Sequence, residues 1–241
     1  MPNRGLEEYN RKRRFNETPE PEGKVRTATG NSFVIQKHRA TRLHYDFRLE
    51  MEGVLRSWAI PKGPSFNPAN KRLAVQTEDH PMDYGGFEGV IPKGNYGAGK
   101  VIVWDNGTYE MVDPETPEKG WDRKKFHFIL KGSKLKGEWV LVRGSRNPNE
   151  WIFFKVRDKF STTEGDITED RPESILSGSL VEEIGKKKLQ EKRATGLRLL
   201  KANWSGLASR RPAGRRCPKS PSRCSPPFPI NPSTTPTGFS N

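Results

Sequence analysis

At 241 residues the chain is long enough for one domain or two, but only 32 % of it is hydrophobic, so part of it is expected to lie outside any core. A net charge of +14 favours a polyanionic partner, nucleic acid first, and no apolar run approaches the ~18 residues of a membrane span. The two cysteines, Cys217 and Cys224, match neither a zinc pattern nor a disulfide framework, so a metal in the folded part must use nitrogen and oxygen ligands.

Residues 1–30 form a polar, basic arm. The opening MPNRGLEEYNRKRRF lacks the apolar centre of a signal peptide, which points to a cytoplasmic protein. A short helix over Leu6–Phe15 is expected to give way to extended chain, because the prolines of ETPEPEG forbid a continuous helix after Glu17. Strand signals then follow at Phe33–Lys37, Leu43–Met51, Val54–Ile60, Arg72–Thr77, Lys100–Asp105, Thr108–Val112, Lys125–Leu130, Glu138–Arg143 and Trp151–Arg157. Glu52-Gly53, Asn106-Gly107 and Gly132-Ser133 read as hairpin turns between them. Closely spaced strands without long helical periods predict a mainly β fold, an antiparallel barrel or sandwich, over residues 31–160.

The stretch from Lys62 to Gly99 is loop-rich. Its run IPKGNYGAGK lacks the spacing and the strand-to-helix context of a phosphate-binding loop, so its glycines are read as tight turns at a barrel rim. His80 and Tyr84, four residues apart, are placed to bring an imidazole and a phenol to the mouth of the barrel. His127, between Phe126 and Phe128, reads as an ordinary strand-surface position. Residues 161–194 are charged and expected to be partly helical around Leu180–Lys192. From Thr195 to Asn241 there are eight basic residues, no acidic one and eight prolines, the composition of a disordered tail. That tail supplies more than half of the net charge, which weakens the global charge as an argument for a basic face on the fold.

The most informative stretch is Gln36–Arg48, QKHRATRLHYDFR, which holds two of the chain's four histidines. Leu43, Tyr45, Phe47, Leu49 and Met51 alternate with His44, Asp46, Arg48 and Glu50. On a strand His44, Asp46 and Arg48 share one face, with next neighbours about 6.5–7 Å apart. An ion between His44 and Asp46, with His38 closing from the turn before the strand, would sit in a half-shell of two imidazoles and a carboxylate. Arg48, one step along, is a planar donor suited to phosphate oxygens. Period-2 alternation with a polar face also describes any half-exposed strand. The spacing HxxxxxHxDxR in a histidine-poor chain makes a metal or phosphate site the favoured reading.

QKHRATRLHYDFRLEMEGVLRSWAIPKGPS and RLAVQTEDHPMDYGGFEGVIPKGNYGAG resemble the 3′-phosphoesterase domain of bacterial DNA ligase D, over about Tyr9 to Phe160. The resemblance implies a compact β-barrel that uses a divalent metal, typically manganese. It implies trimming of primer 3′ ends in double-strand-break repair by non-homologous end joining: a terminal ribonucleoside is removed to leave a 3′-phosphate, which is then hydrolysed to a 3′-hydroxyl. The implied partners are DNA or DNA/RNA primer–template 3′ ends, with Ku and a separate ligase beside them. The implied setting is a bacterial or archaeal cytoplasm, at the nucleoid.

Carried over residue by residue, the resemblance makes His38, His44 and Asp46 the metal ligands, in agreement with the strand argument. It places Arg48, His80 and Tyr84 around the scissile phosphate; because an imidazole titrates near neutrality, His80 is further expected to act as general acid to the leaving oxygen. Gln36, Lys62 and Arg72 match positions that support the site or hold phosphate oxygens. The family's N-terminal run KRDFxxTPEP is met by Lys12, Arg13, Phe15 and Thr18–Pro21, so Arg13 and Glu20 are carried over as well. The family's aspartate is Arg14 here, which keeps a second expectation open: a non-catalytic module that binds nucleic-acid ends.

Overall fold

The computed structural model describes residues 5–26 and 30–186. The tail expected at 195–241 lies outside them, as do residues 187–192 of the helical expectation; residues 181–185 are turns. Among the described residues the strands are β1 (Ser32–Arg39), β2 (Leu43–Met51), β3 (Val54–Ile60), β4 (Arg72–Gln76), β5 (His80–Pro81), β6 (Gly89–Ile91), β7 (Gly99–Asp113), β8 (Lys125–Gly132), β9 (Lys136–Arg143) and β10 (Glu150–Lys155). Short helices α1 (Glu7–Lys12), α2 (Pro117–Arg123) and α3 (Ile167–Asp170) and a 3-10 turn at Met82–Gly86 complete the described elements. No described helix is long and apolar enough to cross a membrane.

Eight strands close on themselves in the order β1-β2-β3-β4-β10-β9-β8-β7, and β7 returns to β1. Every pairing is antiparallel, so the expected barrel is present and closure leaves no open edge in the ring. The alternation in β2 sends Tyr45, Phe47, Leu49 and Met51 into one core with Trp58, Phe128, Trp139, Trp151 and Phe153. Phe47 lies 4.9 Å from Phe153, and Phe153 stacks on Trp139 at 4.9 Å with the rings 7° from parallel. Each such ring, fully buried, contributes on the order of 1.5–3 kcal/mol before the entropy of ordering is set against it.

The structure corrects one turn. Asn106-Gly107 does not close a hairpin; β7 runs straight through it for 15 residues. It pairs with β1 on one side and β8 on the other, with an irregular register where Ile35 faces Asp105 and Gln36 faces Val103. Gly107 is required by close approach rather than by turning, since a Cβ there would meet the Lys131 carbonyl oxygen at 2.2 Å. Asp105 beside it accepts the backbone N–H groups of Lys134 and Leu135, both at 2.8 Å, and so holds the turn between β8 and β9.

Two segments cover the outside of the barrel. In the N-terminal arm, Leu6 and Tyr9 pack with Val54 and Tyr84, and the Tyr9 hydroxyl donates to the Pro21 carbonyl at 2.7 Å. The chain after α3 is tied down by Trp104 Nε1 and Lys134 Nζ, which both donate to the Arg171 carbonyl, and by the Ile175 N–H on the Val103 carbonyl. The outward face of β2, expected to be half-exposed, is therefore covered: Asp46, Arg48 and Glu50 are all buried.

Candidate active site

The β1–β2 pairing sets His38 directly across from His44 and Gln36 across from Asp46. His38 therefore stands on a strand, not in the turn before β2, because β1 continues to Arg39. One ligand atom from each of His38, His44 and Asp46 lies within 4.8 Å of the other two. His38 Nδ1 is 3.7 Å from Asp46 Oδ2, and His44 Nε2 is 3.7 Å from Asp46 Oδ1. Both gaps exceed a hydrogen bond. His44 Nδ1 donates to the Arg42 carbonyl at 3.0 Å, which leaves the nitrogen facing Asp46 with its lone pair free. His38 Nε2 is buried without a hydrogen-bond partner among the described residues. A Cβ at Gly99 would press to 2.9 Å of that nitrogen, so the glycine-rich run leaves room for this ring as well as turning the chain. Burial pushes the Asp46 carboxyl up, but Arg48, then His38 and His44, hold it well below the usual carboxylate range. An ionised carboxylate beside two uncommitted imidazoles fits a divalent transition-metal ion.

Arg48 shares their face and is 2 % exposed. Its Nη1 donates to Ser57 Oγ at 2.7 Å, its Nε to Gln36 Oε1 at 2.9 Å and its Nη2 to Asp46 Oδ2 at 3.3 Å. Gln36 is fixed in turn, since its Nε2 donates to the carbonyls of Tyr84 at 2.9 Å and Phe87 at 3.1 Å. The guanidinium also lies 5.0 Å from the centre of the Tyr84 ring. These contacts aim Arg48 and leave it few rotamers.

The arm delivers Arg13. Helix α1 ends there in extended backbone (φ −117°, ψ 150°), and the side chain is only 4 % exposed. Its Nε donates to Glu20 Oε1, its Nη1 to Glu78 Oε1 and its Nη2 to His80 Nε2, each at 3.0 Å. A guanidinium only donates, so His80 Nε2 must accept, and the ring proton sits on Nδ1, 2.9 Å from the Glu78 carbonyl. Burial first, then Arg48 and Arg13, push the His80 pKa well below its usual value, which keeps the ring neutral. Burial likewise opposes the Glu78 carboxylate, but its own backbone N–H, Arg13 and Lys12 hold its pKa below the ordinary range.

Arg14 points elsewhere. Its side chain is 71 % exposed and pairs with Glu17 at 3.4 Å.

These groups line a cavity of about 200 Å³ whose walls include Arg13, His38, His44, Asp46, Arg48, His80 and Tyr84. Glu20 and Gln36 support it from behind. Lys62, exposed, and Arg72, half-buried at the start of β4, do not line it. Whatever support or phosphate-oxygen contact these two supply is made outside the walls of this cavity.

Sequence reasoning missed Glu78, Ser57 and Tyr96. Ser57 was accessible in principle, because a hairpin at Glu52-Gly53 fixes the register that sets it opposite Arg48. Glu78 carried a weaker signal, standing two residues before His80 on the same side of the chain.

Comparison with known proteins gives a consistent picture. Residues 36–143 match the family described as the DNA Ligase D 3′-phosphoesterase domain. The chain is 49 % identical over 179 residues to the multifunctional non-homologous end joining protein LigD of Pseudomonas aeruginosa, covering 71 % of this chain and 21 % of that protein. It is 45 % identical over 160 residues to the multifunctional non-homologous end joining DNA repair protein LigD of Mycobacterium tuberculosis, covering 64 % and 20 %. With the Mycolicibacterium smegmatis protein it shares 38 % identity over 217 residues, covering 87 % and 28 %. The chain thus spans between about a fifth and somewhat over a quarter of these relatives.

Proposed function

We propose that this chain, which matches the DNA Ligase D 3′-phosphoesterase domain family through residues 36–143, is a metal-dependent phosphoesterase that processes DNA 3′ ends in non-homologous end joining. The observation that carries the reading is the convergence of His38, His44, Asp46 and Arg48 on one cavity inside the matched segment. His38, His44 and Asp46 are the residues that would hold the ion, with manganese the expected one. When bound, it supplies positive charge beside phosphoryl oxygens, where negative charge must be offset during attack.

The protein's own groups supply the rest. Arg48, pre-aimed by Gln36, Ser57 and Asp46, offers a fixed cation to a non-bridging phosphate oxygen. Arg13 forms a second cationic wall. Tyr84, buried against both, shapes the floor and excludes water.

The general-acid role expected of His80 is revised. Its Nε2 has no proton to give while Arg13 donates to it, so His80 acts by holding Arg13. Arg14 faces solvent, so the reversed charge is not turned into the site, which favours the catalytic reading over the end-binding module.

The test is a labelled primer–template ending in one ribonucleotide, incubated with manganese and with either the protein or its His44→Ala variant. The expected result is conversion through a 3′-phosphate to a 3′-hydroxyl. The variant should lose more than about 100-fold, the upper range for losing even an outer-shell partner of a metal site. A duplex that is bound and never cleaved would replace this reading with the end-binding module.

A further inference from the structure

A second cavity adjoins the first. It measures about 610 Å³, within the range of pockets that take small organic ligands. Thr77, Glu78 and Tyr96 line both cavities and form their common wall. The two differ in charge. The first sets Arg13 and Arg48 against Asp46 and Glu78, two cations to two carboxylates. The second presents Glu7, Glu8, Glu78 and Asp79 against Lys12 and Arg56. Both of those cations are engaged: Lys12 by Glu8 at 2.8 Å and Glu78 at 3.2 Å, and Arg56 by Asp79 and Glu52. A phosphate entering this space meets like charge, whereas neutral hydroxyl and amino groups meet acceptors. Tyr96, 49 % exposed, offers a ring face at the common wall, and its hydroxyl is held by Glu78 at 3.4 Å.

We propose that the second cavity seats the nucleoside released when a phosphodiester is cleaved in the first, and that its carboxylates reject a leaving group carrying a phosphate of its own. This rests on the phosphoesterase reading above. Water adds to phosphorus, the P–O5′ bond breaks, its electron pair stays on O5′, and one proton of the water ends on that oxygen. The products are a 3′-phosphate on the primer and an uncharged nucleoside. Hydrolysis of a terminal 3′-phosphate has no nucleoside on that side and does not call on the second cavity. The two reactions should therefore differ in their dependence on its walls.

The test uses the full chain with manganese and three primers. One ends in a 3′-phosphate, one in a ribonucleoside, and one in a ribonucleoside bearing a 3′-phosphonomethyl group, an anion that hydrolysis cannot remove. The unmodified nucleoside should be released about tenfold faster or more than the phosphonomethyl one, the size expected of like-charge exclusion. The double variant Glu7→Gln/Glu8→Gln should narrow that ratio about threefold or more, in proportion to the charge removed. Asn149→Trp puts an indole on the exposed far wall and should lower nucleoside release about tenfold relative to 3′-phosphate hydrolysis. Equal cleavage of the two nucleoside primers, or an Asn149→Trp effect equal on both reactions, overturns the inference and leaves the phosphoesterase reading standing. Failure of the unaltered chain on all three primers overturns that reading and this inference with it.

Discussion

Arg13 holds Glu20 within the arm and links the arm to the rest of the domain through Glu78, two carboxylates buried as deeply as itself, so Arg13→Met is the most informative single change. The Glu20 side chain is 0 % exposed and that of Glu78 is 3 % exposed. Methionine fills the space of the stem but leaves both carboxylates without their main partner. Breaking a buried ion pair from one side costs about 3–5 kcal/mol, because the remaining charge stays desolvated. For a domain of this size about 1 kcal/mol moves the melting temperature by roughly 2–4 °C, so a fall of roughly 6–20 °C is expected.

The loss should depend on pH. In the unaltered protein the Glu78 pKa is depressed, so its ion pair stabilises above the unfolded carboxylate value and that stabilisation fades as pH falls through the folded one. In Arg13→Met the same carboxylate is a buried liability at neutral pH, and protonation relieves it. The gap between the two proteins should therefore be widest near pH 7 and shrink towards about pH 4, near the ordinary glutamate value. Thermal melts followed by fluorescence of the buried tryptophans measure it. Adding Glu20→Gln and Glu78→Gln to Arg13→Met should recover part of the loss, since neutral amides are cheaper to bury. A shift under about 2 °C, or one equally large at both pH values, would refute the view that Arg13 is the electrostatic link.

Two further changes separate roles within the site. Arg14→Asp restores the residue the family pattern carries there, on a side chain 71 % exposed, and should alter stability by less than about 0.5 kcal/mol and 3′-phosphate hydrolysis by less than about threefold; a large gain in turnover would show that position 14 acts on the substrate. At His80, Gln can still offer an acceptor near the place of Nε2, whereas Asn cannot. If the ring works by holding Arg13, His80→Gln should retain about tenfold more 3′-phosphate hydrolysis than His80→Asn. Equal losses with unchanged metal binding would restore the general-acid role.

The strand bearing the candidate site could be read directly, because its information is local. A period of two over Leu43–Met51 says which side chains go inward, and β2 and β3 have the bounds their alternation and the Glu52-Gly53 turn predict. The same local rule brought His44, Asp46 and Arg48 to one face, and the spacing set His38 beside them, though in a turn where the structure has a strand. Composition marked off a polar arm from the strand-rich stretch that follows it; the proline-rich tail it also marked off lies outside the described residues.

Tertiary structure decided the remainder, because it depends on partners distant in sequence. Asn106-Gly107 has the chemistry of a turn, yet two neighbouring strands hold it in an extended ladder and β8 passes too close for a Cβ. His80 reads from the sequence as a loop imidazole at the mouth of the barrel, but a guanidinium from 67 residues earlier fixes its tautomer. Arg13 and Arg14 are adjacent and alike in type. One is sealed between Glu20 and Glu78 while the other faces water, because consecutive side chains on extended backbone point to opposite sides and only one side of the arm meets the barrel. Lys62 and Arg72 belong to the matching motifs, but where the chain carries them after β3 is set by barrel closure, and closure leaves them outside the cavity.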